Sequence, residues 1–138
     1  MEYKVLEKQD IELLKYFDDD ENTKYDEIVL EEFLNEKNAF GYIAIEKEKI
    51  IGFAYGYVLF KPDGRKDFYL HAIDITEGYQ KNGYGTELMK YIHKHIKNIG
   101  CSKMFLITNK SNISACKCYK KAGGISKAND DIIYVFKD

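Results

Sequence analysis

A glycine-rich stretch past the middle of the chain has the residues needed to hold a phosphate. It reads Gln80-Lys81-Asn82-Gly83-Tyr84-Gly85-Thr86, after a strand-like run and before a long amphipathic pattern. Two glycines at such a junction let the backbone approach a ligand without Cβ atoms in the way. The first helical turn then offers unpaired N–H groups and the positive end of the helix dipole. The stretch therefore predicts a phosphate or pyrophosphate site, with an ordinary glycine turn that starts a helix as the alternative.

Two well-known nucleotide-binding motifs fit this stretch poorly. A Walker A loop needs lysine and then serine or threonine directly after its last glycine, whereas Gly85 is followed by Thr86 and Glu87. A dinucleotide fingerprint needs a third glycine, and Leu88 occupies that position. Neither motif accounts for the stretch.

The stretch resembles the pyrophosphate loop of the GNAT family of N-acetyltransferases. That loop reads arginine or glutamine, two residues, glycine, one residue, then glycine or alanine, and Gln80, Gly83 and Gly85 match it. A second family pattern follows at the expected distance, and its residues here are Asn112, Ala115, Tyr119 and Gly123. The resemblance covers about residues 40 to 137. It implies one N-acetyltransferase domain over residues 1–138 that uses acetyl-CoA as co-substrate.

The acceptor amine must lose a proton before it attacks a thioester, because a protonated amine has no lone pair. We predict that His71 takes this proton, directly or through water, since imidazole has an ordinary pKa of ~6.5. Strand alternation predicts that Tyr69, His71, Ile73 and Ile75 share one face. Arylalkylamine N-acetyltransferases similarly carry histidine on this strand, whereas many other relatives use glutamate. A histidine that is simply hydrogen-bonded within the sheet is the alternative.

The departing thiolate should gain a proton, and the resemblance implies that Tyr119 donates it. A phenol has an ordinary pKa of ~10, so it carries its proton at neutral pH. The alternative is a core aromatic, because Ala115, Cys118, Tyr119 and Ala122 form a helical stripe.

The resemblance also implies the residues that bind the donor. The pantetheine arm is expected to pair with strand backbone near residues 73 to 75, much as an added strand would. Asn112 is expected to hydrogen-bond this arm or to cap its own helix. The complete predicted set is Ile73, Ile75, Gln80, Lys81, Asn82, Gly83, Tyr84, Gly85, Thr86, Asn112 and Tyr119.

Composition limits the classes of protein to consider. With 138 residues, 45% apolar residues and one proline, the chain is predicted to form one compact domain. A net charge of −2 does not favour a broad nucleic-acid-binding surface. The absence of a long apolar run or a signal peptide leads us to expect a cytoplasmic location. Cys101, Cys116 and Cys118 lack the spacing of a disulfide framework or zinc site, so we predict structural thiols and no metal.

The hydrophobic periodicity predicts an α/β (α+β) fold with a mixed, mainly antiparallel sheet flanked by helices and a β-α-β core. The predicted strands are residues 3–6, 39–46, 50–60, 67–76, 103–108 and 132–136. The predicted helices are residues 10–16, 26–36, about 84–100 and about 112–122. Gly52 and Gly56 indicate bulges or close backbone approaches. His93 and His95 are expected on the exposed side of the third helix.

An acidic run, Asp18-Asp19-Asp20-Glu21, lies in a region that borders the acceptor pocket in the family. An acidic rim attracts a cationic amine, and a merely solvated loop is the alternative. The C-terminal pattern from Gly123-Gly124 to Phe136 resembles the small aminoglycoside 3-N-acetyltransferase branch.

We therefore predict direct acetyl transfer to a small polar amine, with an aminoglycoside first and a polyamine or arylalkylamine next. The alternatives are a non-catalytic acyl-CoA sensor or interaction module, and a protein or peptide N-acetyltransferase. The predicted partner is the small-molecule amine, with no nucleic acid or membrane, and the resemblance implies a possible homodimer.

Overall fold

A computed structural model describes residues 1–19, 21–126 and 130–138. The strands are β1 (Glu2–Val5), β2 (Ala39–Glu46), β3 (Lys49–Phe60), β4 (Lys66–Ile75) and β5 (Lys103–Phe105). The helices are α1 (Ile11–Leu14), α2 (Glu27–Asn35), α3 (Tyr84–Asn98) and α4 (Ile113–Lys121). A single 3-10 turn, Lys8–Asp10, leads into α1. The predicted fold class is confirmed.

The strands form one sheet in the order β1-β2-β3-β4-β5. The first three pairings are antiparallel, and β4 pairs with β5 in parallel. A parallel pair needs a crossover connection, and α3 supplies it. The predicted β-α-β core is therefore β4-α3-β5.

The sheet carries one hydrophobic core on each face. On one face, α3 packs its apolar stripe of Leu88, Met89, Ile92 and Ile96 against β2, β3 and β4. On the other face, α1 and α2 cover Ile43, Ile50 and Phe53. Because both layers are covered, β2 and most of β3 are buried on both sides.

Both strand glycines mark close approaches, as predicted. A Cβ on Gly52 would lie 2.8 Å from Ile75 Cδ1, and one on Gly56 would overlap the Tyr69 carbonyl oxygen. The β2–β3 register shifts between Ala44 and Ile45, beside Gly52.

Three predicted elements differ from the structure. The first helix contains only Ile11–Leu14, and the Asp10 carboxylate accepts the Glu7 N–H, which caps the start of the 3-10 turn before it. The buried strand predicted over 103–108 ends at Phe105, and two of its three residues are exposed. The strand predicted over 132–136 is absent, and Phe136 is 96% exposed. An apolar, β-branched run forms a strand only where a neighbouring strand pairs with it.

The expectation for His95 is also wrong. Its ring is half-buried, and its Nδ1 lies 2.8 Å from the Tyr42 hydroxyl. The Phe40 and Tyr42 rings contact it edge-on. Burial lowers the pKa of His95 below its ordinary value. His93 is exposed, as predicted.

Within the described residues, none of the helices is both long and apolar enough to cross a membrane.

Candidate active site

The glycine loop opens α3 as the sequence predicts. Gly83 is the residue before the first helical turn and has φ 84°, a left-handed conformation that glycine adopts without strain. The first helical hydrogen bond runs from the Glu87 N–H to the Gly83 carbonyl, at 3.0 Å. The N–H groups of Tyr84, Gly85 and Thr86 therefore precede the helical ladder and face the loop end. This arrangement provides the donors that an anion requires.

The side-chain amides of two loop residues donate hydrogen bonds to nearby backbone carbonyls. The Gln80 Nε2 donates to the Ile75 carbonyl at 2.8 Å, which ties the loop to the last residue of β4. The Asn82 Nδ2 donates to the Gln80 carbonyl at 3.2 Å. Lys81, between them, has φ 65° and is exposed. The loop backbone is thus fixed before any ligand binds.

Gly85 brings three elements together. A Cβ at this position would lie 3.2 Å from Cys118 Sγ on α4 and 3.7 Å from Ile75 Cγ1 on β4. The Thr86 hydroxyl contacts the same sulfur at 3.6 Å. The absence of a side chain at Gly85 therefore lets the start of α3 pack directly against α4 and the end of β4.

A bulge in β4 overturns the predicted face of His71. Tyr55 pairs with Ala72 and Gly56 pairs with Leu70, so His71 is an extra residue without a partner on β3. A bulge reverses the alternation of side chains that follow it. His71 and Ala72 consequently both line the face toward α2.

The predicted grouping of Tyr69, His71, Ile73 and Ile75 on one face is therefore wrong. Ile73 and Ile75 pack against the α3 core instead. His71 stacks on the Tyr55 ring at 5.4 Å between centroids, and its ring meets Tyr69 edge-on at 5.5 Å. Its side chain is exposed to solvent.

The β4–β5 pairing stops just before the bulge. The last pair is Tyr69 with Phe105, and the described part of β5 pairs with nothing beyond it. The edge of β4 from residue 70 to Ile75 is therefore separated from β5, and this stretch ends at the glycine loop. An unpaired strand edge of this kind can receive an extended molecule that hydrogen-bonds to the strand backbone.

Tyr119 lies on α4 and is half-buried against the α3 core. Burial raises the pKa of the Tyr119 phenol above its ordinary value, and the nearby Cys118 and Asp74 raise it further. The phenol therefore keeps its proton at neutral pH. The neighbouring Cys118 lies beside Gly85 and Ile75, which brings this part of α4 to the end of β4.

Other α4 residues have simpler roles in the structure. The Asn112 Oδ1 accepts the Ala115 N–H at 3.2 Å and caps the helix. Cys101, Cys116 and Cys118 are free thiols. Among residues 1–19, 21–126 and 130–138, there is no group of three or more His, Cys, Asp or Glu residues that is arranged to hold a metal.

A cavity of about 550 Å³ lies between β3, β4 and α2, on the face to which His71 points. Its lining residues are Asp19, Glu21, Thr23, Tyr25, Val29, Leu30, Phe33, Phe53, Tyr55, His71, Ala72 and Asp74. Thr76 Oγ1 donates to the Asp18 carbonyl at 2.9 Å and fixes the acidic run beside β4. Asp19 and Glu21 from this run reach the cavity, and Asp20 lies outside the described residues.

The family of this chain is identified by comparison with known proteins. The sequence matches the family model described as "Acetyltransferase (GNAT) family" over residues 7–124, most of the chain. The chain belongs to the GNAT acetyltransferase family. Its class of activity is therefore acetyl-CoA-dependent N-acetyl transfer. A search of curated protein sequences finds no match.

Solved structures share the GNAT fold at low sequence identity. An aminoglycoside acetyltransferase from an uncultured soil metagenomic sample, in complex with trehalose, has a TM-score of 0.83 at 19% identity; the match covers 99% of this chain and 96% of that one. An aminoglycoside N-acetyltransferase in complex with CoA has a TM-score of 0.75 at 19% identity, with 99% of each chain covered. A ribosomal-protein-alanine N-acetyltransferase from Brucella melitensis has a TM-score of 0.73 at 17% identity, covering 98% and 100%.

Several residues that line the cavity were not predicted from the sequence. Asp74 lies on β4 between Ile73 and Ile75 and lines the cavity, as do Tyr25 and Tyr55. Asp74 was detectable in principle, because a charged residue between two apolar strand residues must face away from their core. Tyr25 was not, because it lies in a segment without helix or strand.

Proposed function

We infer that this protein moves the acetyl group of acetyl-CoA to the primary amine of a small molecule held in the 550 Å³ cavity. The observation that carries this inference is the bulge at His71. It turns His71 and Ala72 toward the cavity at the place where β4 loses its β5 partner. A donor bound along the β4 edge and an acceptor bound in the cavity would therefore meet at residues 71 to 75.

The residues present fit acetyl-CoA. We propose that the backbone of Ile73 and Ile75 holds the pantetheine arm, and that the N–H groups of residues 84 to 86 hold the pyrophosphate. Gln80 and Asn82 keep the loop in shape through their own hydrogen bonds. When bound, acetyl-CoA supplies an activated acyl group as a thioester.

His71 and Tyr119 would handle the two protons. The amine nitrogen forms a bond to the acetyl carbon as the carbon–sulfur bond breaks. His71 accepts the amine proton, directly or through water, and Tyr119 donates its phenolic proton to the sulfur. The products are an amide and the free thiol of CoA, and atoms and charge balance once His71 releases its proton to solvent and Tyr119 regains one.

Small amines remain the proposed acceptors, with aminoglycoside, polyamine and arylalkylamine as the classes to compare. Three cavity carboxylates, Asp19, Glu21 and Asp74, favour a cation. Two of the similar solved structures are aminoglycoside acetyltransferases. A ribosomal-protein-alanine acetyltransferase among the neighbours is the reason to include a short peptide in the test. A non-catalytic acyl-CoA sensor is the second candidate function.

The proposed location and assembly accompany this activity. Acetyl-CoA is a metabolite of the cell interior, so a cytoplasmic location suits its use. We propose a homodimer in which the exposed apolar residues 132–136 contact a second copy, because such residues lose water when they are covered. Light scattering that gives the mass of a single 16.1 kDa chain at all concentrations would contradict the dimer.

The decisive experiment measures thiol release from acetyl-CoA with aminoglycosides, polyamines, arylalkylamines and short peptides as acceptors. Turnover with a small amine is the expected result. Acetyl-CoA binding without turnover on any acceptor would favour the sensor, and a lack of binding would contradict the proposed donor site.

A further inference from the structure

We propose that the acceptor is an amine with a flat, apolar body, whose ammonium group binds at Asp19 and Asp74 while the body lies against Phe33 and Tyr55. This inference rests on the proposed function and names the class of substrate that the cavity selects. Its basis is the lining of the cavity, which combines the carboxylates of Asp19 and Asp74 with the apolar side chains that α2 contributes.

The carboxylate of Asp19 lies beside the Tyr25 hydroxyl in the cavity lining. This hydroxyl lies 3.5 Å from Asp19 Oδ2, and the other oxygen of Asp19 accepts the backbone N–H groups of Glu21 and Thr23 at 3.2 and 2.9 Å. Burial, then the charges of Asp19 and Asp74, raise the pKa of Tyr25 to about 12. Asp19, Asp74 and Tyr25 all line the same cavity, so the two carboxylates stabilise a cation in it.

The α2 helix contributes apolar side chains to the lining. Val29, Leu30 and Phe33 present hydrocarbon surface to the cavity. The Phe33 ring contacts the Tyr55 ring edge-on at 5.9 Å between centroids. Phe53, which is buried, lies 5.8 Å from Tyr55 at a tilt of 31°. These rings pack against one another and form an aromatic surface that suits a planar apolar group.

The combination of carboxylates and apolar side chains in the cavity lining distinguishes the amine classes. A polyhydroxylated amine would place hydroxyls against Val29, Leu30 and Phe33, which carry no side-chain hydrogen-bonding groups, so those hydroxyls would lose water without compensation. A linear diamine has no broad apolar body to cover the hydrocarbon surface of α2, so it gains less from burial there. An amine with an aromatic body covers this surface and places no polar group against it. The ammonium also gains from the nearby aromatic rings.

The test measures equilibrium binding of three probes to the full chain in the presence of CoA: 2-phenylethylamine, putrescine and kanamycin. We expect 2-phenylethylamine to bind more tightly than the other two by about tenfold or more. Binding, rather than turnover, is the readout, so this result does not depend on whether the acetyl group is transferred.

A substitution locates the binding surface. Phe33→Ala should weaken the binding of 2-phenylethylamine by about tenfold. The binding of ethylamine, which has no aromatic body, should change by less than about twofold. The matched control is Ile28→Ala on the same helix, because Ile28 is 69% exposed and does not line the cavity. It should leave both affinities unchanged.

Tighter binding of putrescine or kanamycin than of 2-phenylethylamine would overturn the inference. Equal losses for 2-phenylethylamine and ethylamine in Phe33→Ala would also overturn it, as would no binding of 2-phenylethylamine. Each of these results leaves the proposed function intact if another amine supports thiol release. The proposed function fails separately, through a lack of acetyl-CoA binding or of turnover with any amine.

Discussion

Tyr119 and His71 approach the end of β4 from different elements. Tyr119 comes from α4 and is half-buried, whereas His71 is an exposed residue of β4 that lines the cavity. Burial raises the pKa of the Tyr119 phenol, so this group keeps its proton at neutral pH. We propose that Tyr119 is the proton donor and that His71, beside the acceptor, is the base.

The role of Tyr119 is tested by removing its hydroxyl alone. Tyr119→Phe should lower kcat by about 10² or more, because the departing sulfur loses its proton donor. The dissociation constant of acetyl-CoA should change by less than about twofold, since the ring remains in place. Steady-state kinetics and equilibrium binding check the two expectations.

Tyr16→Phe provides the control, because Tyr16 is 71% exposed and lies outside the cavity. It should alter neither quantity. Unchanged kcat in Tyr119→Phe would remove this phenol from the mechanism.

At the scale of elements, the start of α3 depends on Gly83. Gly83→Ala should reduce stability by about 1 kcal/mol, because a Cβ is strained at φ 84°. It should also weaken the binding of acetyl-CoA by about tenfold or more, since the shifted backbone misaligns the N–H groups of the first turn. Thermal unfolding and equilibrium binding measure the two effects.

Gly100 offers a matched control at the other end of the same helix. It has φ 96° and, like Gly83, no atom within 4 Å of a Cβ built on it. Gly100→Ala should cost similar stability and leave acetyl-CoA affinity unchanged. Equal loss of affinity in both variants would show that strain in α3, and not the loop, controls binding.

The bulge in β4 depends on Gly56 of the neighbouring strand. A Cβ there would overlap the Tyr69 carbonyl oxygen and lie 2.7 Å from the Phe68 ring. Gly56→Ala should therefore destabilise the fold by roughly 1–3 kcal/mol. Chemical denaturation measures the loss, with Gly64→Asn in an exposed turn as a variant that should cost little. A Gly56→Ala protein as stable as wild type would contradict the close approach.

Sequence patterns predicted the elements better than their details. The periodicity of α3, the glycine loop and the hairpin of β2 and β3 were all evident, because each is encoded within a few consecutive residues. The bulge position was not, since the extra residue is defined only by its pairing with β3. The aromatic lining of the cavity also depends on residues far apart in sequence, such as Phe33, Tyr55 and His71.

At the scale of the whole molecule, the two faces of the sheet have different electrostatic character. The cavity face carries Asp19, Glu21 and Asp74, while the opposite face buries the neutral pair of Tyr42 and His95. The Tyr42 hydroxyl and His95 Nδ1 lie 2.8 Å apart, and burial of the ring disfavours the charged imidazolium. His95 therefore links folding to pH.

This linkage predicts a loss of stability in acid. The folded-state pKa of His95 lies below its ordinary value of ~6.5. Between the two values the unfolded chain binds more protons, so the free energy of unfolding falls as pH decreases below ~6.5 and levels off below the folded-state pKa. Thermal melts between pH 8 and pH 5 should show a smaller decrease in the His95→Gln variant. His93→Gln, at an exposed position, should keep the wild-type decrease.

The extra residue in β4 also has an evolutionary meaning. His71 has no backbone pairing partner on β3, so a one-codon deletion at this position would preserve every other β3–β4 pair. The chain would still fold into the same sheet, but two adjacent side chains would no longer point together into the cavity. The length of β4 can therefore change by one residue without changing which strands pair. When relatives are aligned, a one-residue gap at position 71 would mark a change in the lining of the cavity, not a neutral variation in length.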